Sequence, residues 1–112
     1  MTILEVDTQE RDDLVHVSLR GELDLSTVER VEDELRQVEE RTNKAIALDL
    51  SGLSFLDSTG LRLMVTADQR ARKSGRRLVI VKGPETVHRV FTITRLDERL
   101  DMVDDVAQVQ VE

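Results

Sequence analysis

Ala45-Ile46-Ala47-Leu48-Asp49-Leu50, then Ser51-Gly52-Leu53-Ser54-Phe55-Leu56-Asp57, then Ser58-Thr59-Gly60-Leu61, is the stretch on which the fold turns. The first six residues are almost all apolar, the pattern of a strand covered on both faces. The next seven mix Ser, Gly and Asp with single apolar residues and read as a loop. From Ser58 to about Lys73 the period becomes helical, with Leu61, Met64, Val65, Ala67 and Ala71 on the inward side. Gly75 supplies the left-handed stop.

Working upstream, Val28, Val31, Leu35 and Val38 recur at three- and four-residue steps among acidic residues, which gives a first amphipathic helix. Ser26 or Thr27 is placed to cap it and Asn43 to end it. Before it, Val15, Val17 and Leu19 alternate with His16, Ser18 and Arg20, a strand with one buried face. Ile3 to Val6 reads as an earlier strand, and Thr8 to Asp13 as the polar turn of an antiparallel hairpin. Downstream, Leu78 to Val81 is a buried strand, and Pro84 opens a third helix with Val87, Val90, Phe91 and Ile93 on its apolar side. The tail from Leu100 to Val111 holds a short strand at Asp101-Met102-Val103 and one last helix. The fold class expected is α/β: a mixed four- to five-stranded sheet opening with an antiparallel β-hairpin, helices packed over it and right-handed crossovers.

A chain of 112 residues with 39% apolar residues reads as a single domain, 1–112, with one ordinary core. Phe55 and Phe91 are its aromatic residues, so Leu, Val, Ile and Met must fill that core. The absence of cysteine excludes disulfides, thiolate metal sites and cysteine nucleophiles. A formal net charge of −7 argues against nucleic acid and against anionic membrane surfaces as partners, because both are bound through cations. Arg70, Arg72, Lys73, Arg76 and Arg77 run against that balance and read as a solvated helix end whose cations suit the helix dipole. The N-terminal Met1-Thr2-Ile3-Leu4-Glu5 has neither the basic nor the apolar region of a secretory signal. No apolar run approaches the roughly 20 residues of a membrane helix. A cytoplasmic protein, monomeric when free, is expected.

The chemistry gathers where the strand hands over to the second helix, the edge at which open α/β sheets hold their ligands. Asp57 and Ser58 stand at the helix entrance. Either is a plain N-cap, worth about 1 kcal/mol. The other reading is a phosphoacceptor: a phosphate on Ser58 would lie at the positive end of the helix dipole and bring about −1.5 to −2 charges beside Asp57. Local chemistry leaves both open.

Phe55-Leu56-Asp57-Ser58-Thr59-Gly60-Leu61 resembles the phosphorylation loop of STAS-domain anti-sigma factor antagonists. Leu19-Arg20-Gly21-Glu22-Leu23-Asp24 is similar to that family's h-x-G-x-L-D turn, and Val79-Ile80-Val81 with Pro84 to Phe91 to its later strand and helix. The resemblance spans nearly the whole chain. It implies that the unphosphorylated protein binds an anti-sigma factor, itself a serine protein kinase, and so frees a sigma factor. Phosphorylation of Ser58 would break the complex, with Thr59 a minor acceptor, and a metal-dependent serine phosphatase would reverse it. The partner-binding residues implied are Gly21, Asp24, Ser26, Leu56, Asp57, Ser58, Thr59, Gly60 and Leu61. One departure from the family pattern is Thr94-Arg95-Leu96-Asp97, which lacks the small residue that often follows the third helix.

Other classes fit less well. A receiver domain would use Asp49 and Lys82, but the first strand ends Glu5-Val6-Asp7 without the acidic pair that holds Mg²⁺, and a second strand follows it. An enzyme would have to use His16 or His88, both read as surface histidines without a nearby nucleophile; no phosphate loop or metal-ligand spacing is present, and no cofactor is expected. A STAS-like scaffold or transport-system component, without the phosphoswitch, keeps the fold and drops the chemistry.

Overall fold

Alternation places the first two strands. In a computed structural model that describes residues 3–109, β1 (Leu4–Glu10) and β2 (Leu14–Leu23) form an antiparallel hairpin, with Val6 opposite Leu19 and Thr8 opposite Val17. β1 runs further than Val6, because the polar residues Asp7 to Glu10 keep pairing along the sheet edge. The turn shrinks accordingly, and the Arg11 N–H donates to the Leu14 carbonyl at 2.7 Å.

The remaining elements follow as α1 (Val28–Arg41), β3 (Ala45–Leu56), α2 (Ser58–Ser74), β4 (Leu78–Val81), α3 (Glu85–Ile93) and β5 (Met102–Val103). Short 3₁₀ turns occupy Leu96–Glu98 and Val106–Gln108; the second stands where a last helix was expected. Residues 110 and 111 of that tail lie outside the described residues. The sheet order is β1-β2-β3-β4-β5, with the hairpin antiparallel and the other three pairs parallel.

One face of the sheet carries the core. Val17, Leu48 and Ile80 from three strands join Leu35 of α1, Met64 of α2 and Phe91 of α3 in a single cluster. Each such side chain stabilises by about 1.5–3 kcal/mol when fully buried. On the opposite face Leu14, Ala45 and Ala47 meet Val106 and Val109 of the tail.

Several expectations are corrected. Ser51 to Leu56 is not a loop but the second half of β3, paired to β2 through Gly52–Arg20, Leu53–Gly21, Phe55–Glu22 and Leu56–Leu23. Two register shifts, each with one extra residue on the β3 side, absorb its irregular pattern. Gly52 is small for a reason: a Cβ there would lie 2.9 Å from the Leu19 carbonyl oxygen. In α2 the buried stripe runs through Gly60, Leu63, Met64, Ala67 and Ala71, while Leu61 and Val65 are half-buried. The expected stripe was anchored one residue off because its true first member has no side chain. In α3, Val87 and Phe91 lie one turn apart and are buried, whereas Ile93, about 200° round the helix from Phe91, is 74% exposed. Val90 is half-buried. Thr42 rather than Asn43 ends α1, and Pro84 stands at the cap of α3 rather than within its first turn.

Of the basic stretch, Arg72, Lys73 and Arg77 are exposed as expected, but Arg70 and Arg76 are half-buried and engaged within the protein. Arg70 binds Glu39 through two hydrogen-bonded nitrogens at 2.9 Å and reaches Glu32 at 2.7 Å, tying α2 to α1. Arg76 donates to the carbonyls of Glu39, Thr42 and Lys44, satisfying the C-terminal end of α1. Arg72 pairs with Asp68, and Arg77 with Asp101. Arg95, within the segment that departs from the family pattern, has φ +62°, a left-handed conformation that glycine would adopt with less strain.

Candidate functional site

The C-terminal ends of β2 and β3 lie side by side, Leu23 against Leu56, and both chains turn into helices there. Gly21 begins the divergence with φ +111°; a Cβ at that position would lie 2.3 Å from the Ile3 carbonyl oxygen, so only glycine lets the hairpin close this tightly. The turn after β2 then wraps on itself. Asp24 Oδ1 accepts from the Ser26 N–H at 2.9 Å and the Ser26 hydroxyl at 2.7 Å. Thr27 occupies the cap position of α1 but does not cap it. It is 4% exposed, its hydroxyl donates to the Glu22 carbonyl at 2.9 Å, and its Oγ1 accepts from the Asp24 N–H at 3.0 Å. Ser26 does not cap the helix either, since its hydroxyl is held by Asp24.

The second turn docks on the first. The Asp57 N–H donates to the Leu23 carbonyl at 3.2 Å, and Ser54 Oγ donates to the Gly21 carbonyl at 3.2 Å. Asp57 is the cap of α2: its Oδ1 accepts from Thr59 N–H at 2.9 Å and Gly60 N–H at 3.1 Å. Its carbonyl takes the Leu61 N–H at 3.0 Å. Ser58, next in the chain, is exposed, and its hydroxyl has no hydrogen bond to the described residues. Leu56 and Gly60 are buried, Thr59 and Leu61 half-buried, and Gly21, Asp24 and Asp57 half-buried at the rim.

Two residues of this surface were not singled out by their sequence context. Leu25 is 76% and Phe55 46% exposed. With Asp24, Ser26 and Asp57 they line a shallow depression of about 590 Å³. Exposed large apolar groups set among carboxylates are a feature of binding surfaces rather than of ordinary solvated ones. The signal for Phe55 was weak: an aromatic residue, one of two, inside a stretch of Ser and Gly.

The histidines stand differently from expectation. His16 is no surface residue: with its side chain 12% exposed, its Nε2 meets Asp49 Oδ2 at 2.8 Å and Ser18 Oγ at 3.2 Å. Ser, His and Asp are thus neighbours, but acid and hydroxyl share one ring nitrogen, whereas a nucleophilic triad needs them on opposite nitrogens. Burial pushes the Asp49 carboxyl up, but bonds from Ser51 and His16 outweigh it and leave it below its ordinary value. His88 is half-buried and stacks on Phe91 with ring centroids 5.9 Å apart. Among the described residues no helix is long and apolar enough to cross a membrane.

Comparison with known proteins agrees with this geometry. A family model for the STAS domain matches residues 5–109. An anti-sigma-B factor antagonist of Staphylococcus epidermidis is 32% identical over 95 residues, 85% of this chain and 88% of the relative. An anti-sigma factor antagonist from Mycobacterium paratuberculosis has the same fold at a TM-score of 0.84, with 23% identity over 94% of this chain and 89% of that one. The anti-sigma factor antagonist SpoIIAA in its unphosphorylated form aligns at a TM-score of 0.75 and 21% identity over 90% of each chain. Its phosphorylated form aligns at 0.68 and 20% identity, over 90% of this chain and 93% of that one. The chain belongs to the STAS-domain family of anti-sigma factor antagonists.

Proposed function

We propose that the unphosphorylated protein captures an anti-sigma factor that is also a serine protein kinase, and that phosphorylation of Ser58 ends the capture. The observation that carries this reading is the exposed, unbonded Ser58 hydroxyl beside the Asp24–Leu25–Ser26 and Phe55–Asp57 depression. Leu25 and Phe55 would supply the apolar contact, and Asp24 and Asp57 would face cations of the partner. The kinase would transfer the γ-phosphoryl group of ATP: a bond forms from phosphorus to Ser58 Oγ, the bond to ADP breaks, and the hydroxyl proton leaves to a base on the kinase. A metal-dependent serine phosphatase would hydrolyse the ester and restore the hydroxyl. Thr59, half-buried and with its N–H held by Asp57, is the lesser acceptor. The protein would act in the cytoplasm as one domain, free as a monomer, with neither nucleic acid nor membrane as a partner.

The test is capture of nucleotide-loaded candidate kinases from the host, with phosphate mapped by mass spectrometry. Ser58→Ala binds and cannot be switched off; Ser58→Asp and Ser58→Glu lose affinity by about 100-fold or more, the scale of roughly 3 kcal/mol for an uncompensated charge at an interface. Equal binding by the phosphorylated and unphosphorylated proteins would overturn the proposal.

A further inference from the structure

The entrance of α2 has little left to offer a phosphate. The amides of Thr59, Gly60 and Leu61 are already spent on the carboxylate and carbonyl of Asp57. A dianion on Ser58 would therefore stand beside an existing anion, with Asp24 on the neighbouring turn, and without those amides to neutralise it. A cation elsewhere on the chain would offset that charge.

Arg30, at the start of α1, is engaged: it donates to the Leu4 carbonyl. Arg70 and the cations after it lie three or more helical turns from Ser58. Arg62 is the exception in the first turns of α2: it is exposed, and it has no hydrogen bond or ion pair with the described residues. It lies four residues after Ser58, the spacing at which helical side chains are neighbours. Long side chains on a helix also lean back toward its N-terminus, and Arg62 shares a groove with Thr59 of the turn that Ser58 begins. Glu29 and Glu32 of α1 share a groove with Arg62. Glu32 is engaged by Arg70, which leaves Glu29 as the competing carboxylate.

We propose that Arg62 is the built-in counter-ion of phosphorylated Ser58, pairing with the phosphate in the free protein and so making the off-state tolerable to the fold. The proposal rests on the reading of Ser58 as the phosphoacceptor. Arginine suits the task because its planar fork meets two phosphate oxygens at once. The groups that set the field at the phosphate are Arg62, favouring the dianion, and Asp57, Asp24 and Glu29, opposing it.

The test does not need the kinase. Phosphoserine is incorporated at position 58 during translation, and the second phosphate ionisation is followed by phosphorus NMR against pH. A neighbouring guanidinium lowers that pKa, so in Arg62→Gln it rises by about 0.2–0.7 units, the range of an exposed ion pair. Arg62→Lys restores most of the difference, and about 1 M salt reduces it. Coincident titrations of the unsubstituted protein and Arg62→Gln would overturn the proposal and leave the switch reading untouched. Conversely, a kinase that never modifies Ser58 would sink the switch reading without altering this measurement. Arg62 is exposed, so the substitution does not threaten folding.

Discussion

Replacing Gly60 by alanine sets two effects of similar size against each other, and the packing around it decides the sign. In a helix interior the change gains up to about 1 kcal/mol of propensity, and less in a first turn. Against that, the new Cβ would lie 2.5 Å from Leu56 Cδ1, 2.9 Å from Leu23 Cγ and 3.1 Å from Leu23 Cδ2. Leu56 Cδ1 ends a flexible side chain and can turn aside. Leu23 Cγ is a branch point on a residue with 0% exposure, so it moves only if the end of β2 moves with it. Overpacking of this kind costs about 1–3 kcal/mol. The net expectation for Gly60→Ala is a loss of about 1–2 kcal/mol, or a melting point lower by about 4–8 °C for a domain of this size. Urea and thermal unfolding measure it directly. The same strain falls where the Asp57 N–H meets the Leu23 carbonyl, so partner capture should weaken while the protein is still folded. A Gly60→Ala protein as stable as the original, with undiminished capture, would show that close approach is not why glycine stands there.

Two further predictions concern the ground beneath the site. Thr27→Val removes a buried hydroxyl that serves both the Glu22 carbonyl and the Asp24 N–H, and should cost about 1–3 kcal/mol in chemical denaturation while loosening the turn that carries Leu25. Asp49 titrates below its ordinary 3.8, since Ser51 and His16 overcome the opposing effect of burial. Its contribution is therefore present above the unfolded carboxylate value and is lost as pH falls through the lower folded one. Asp49→Asn should accordingly lower stability at neutral pH and flatten the decline below about pH 4, read from denaturation midpoints across pH; an unchanged acid limb would refute it.

The sequence made the handover from strand to helix legible because its chemistry is local: Asp57 caps within its own segment, and Gly75 with φ +76° stops the helix it follows. What escaped was non-local. Ser51 to Leu56 looks like a loop because β3 carries two extra residues against β2, which break its alternation, and a glycine fitted to another strand's backbone. His16 lies on the polar side of β2, as alternation requires, yet its partner Asp49 comes from a parallel strand whose register no local pattern states. Arg70 and Arg76 read as solvated because dipole reasoning sees only the helix end they stand at; their acceptors lie about thirty residues upstream. Leu25 and Phe55 escaped because hydrophobicity says nothing of exposure until both strand ends are placed side by side.

The arrangement also indicates how a switch at Ser58 would operate. A modification shifts an equilibrium only through a difference between two states, here free and bound. In the free protein the phosphate would be hydrated and faced by Arg62, and the caps of α2 would be untouched, because Asp57 and not Ser58 holds the amides. In a complex that covers Leu25 and Phe55, water leaves the same spot, and a dianion would be enclosed beside the carboxylate of Asp57. Even after relaxation, such burial costs several kcal/mol per uncompensated ion. About 4 kcal/mol is already a factor of roughly a thousand in affinity. No refolding is needed. Separating the residue that caps the helix from the residue that would carry the charge would let the fold tolerate the phosphate while the interface rejects it.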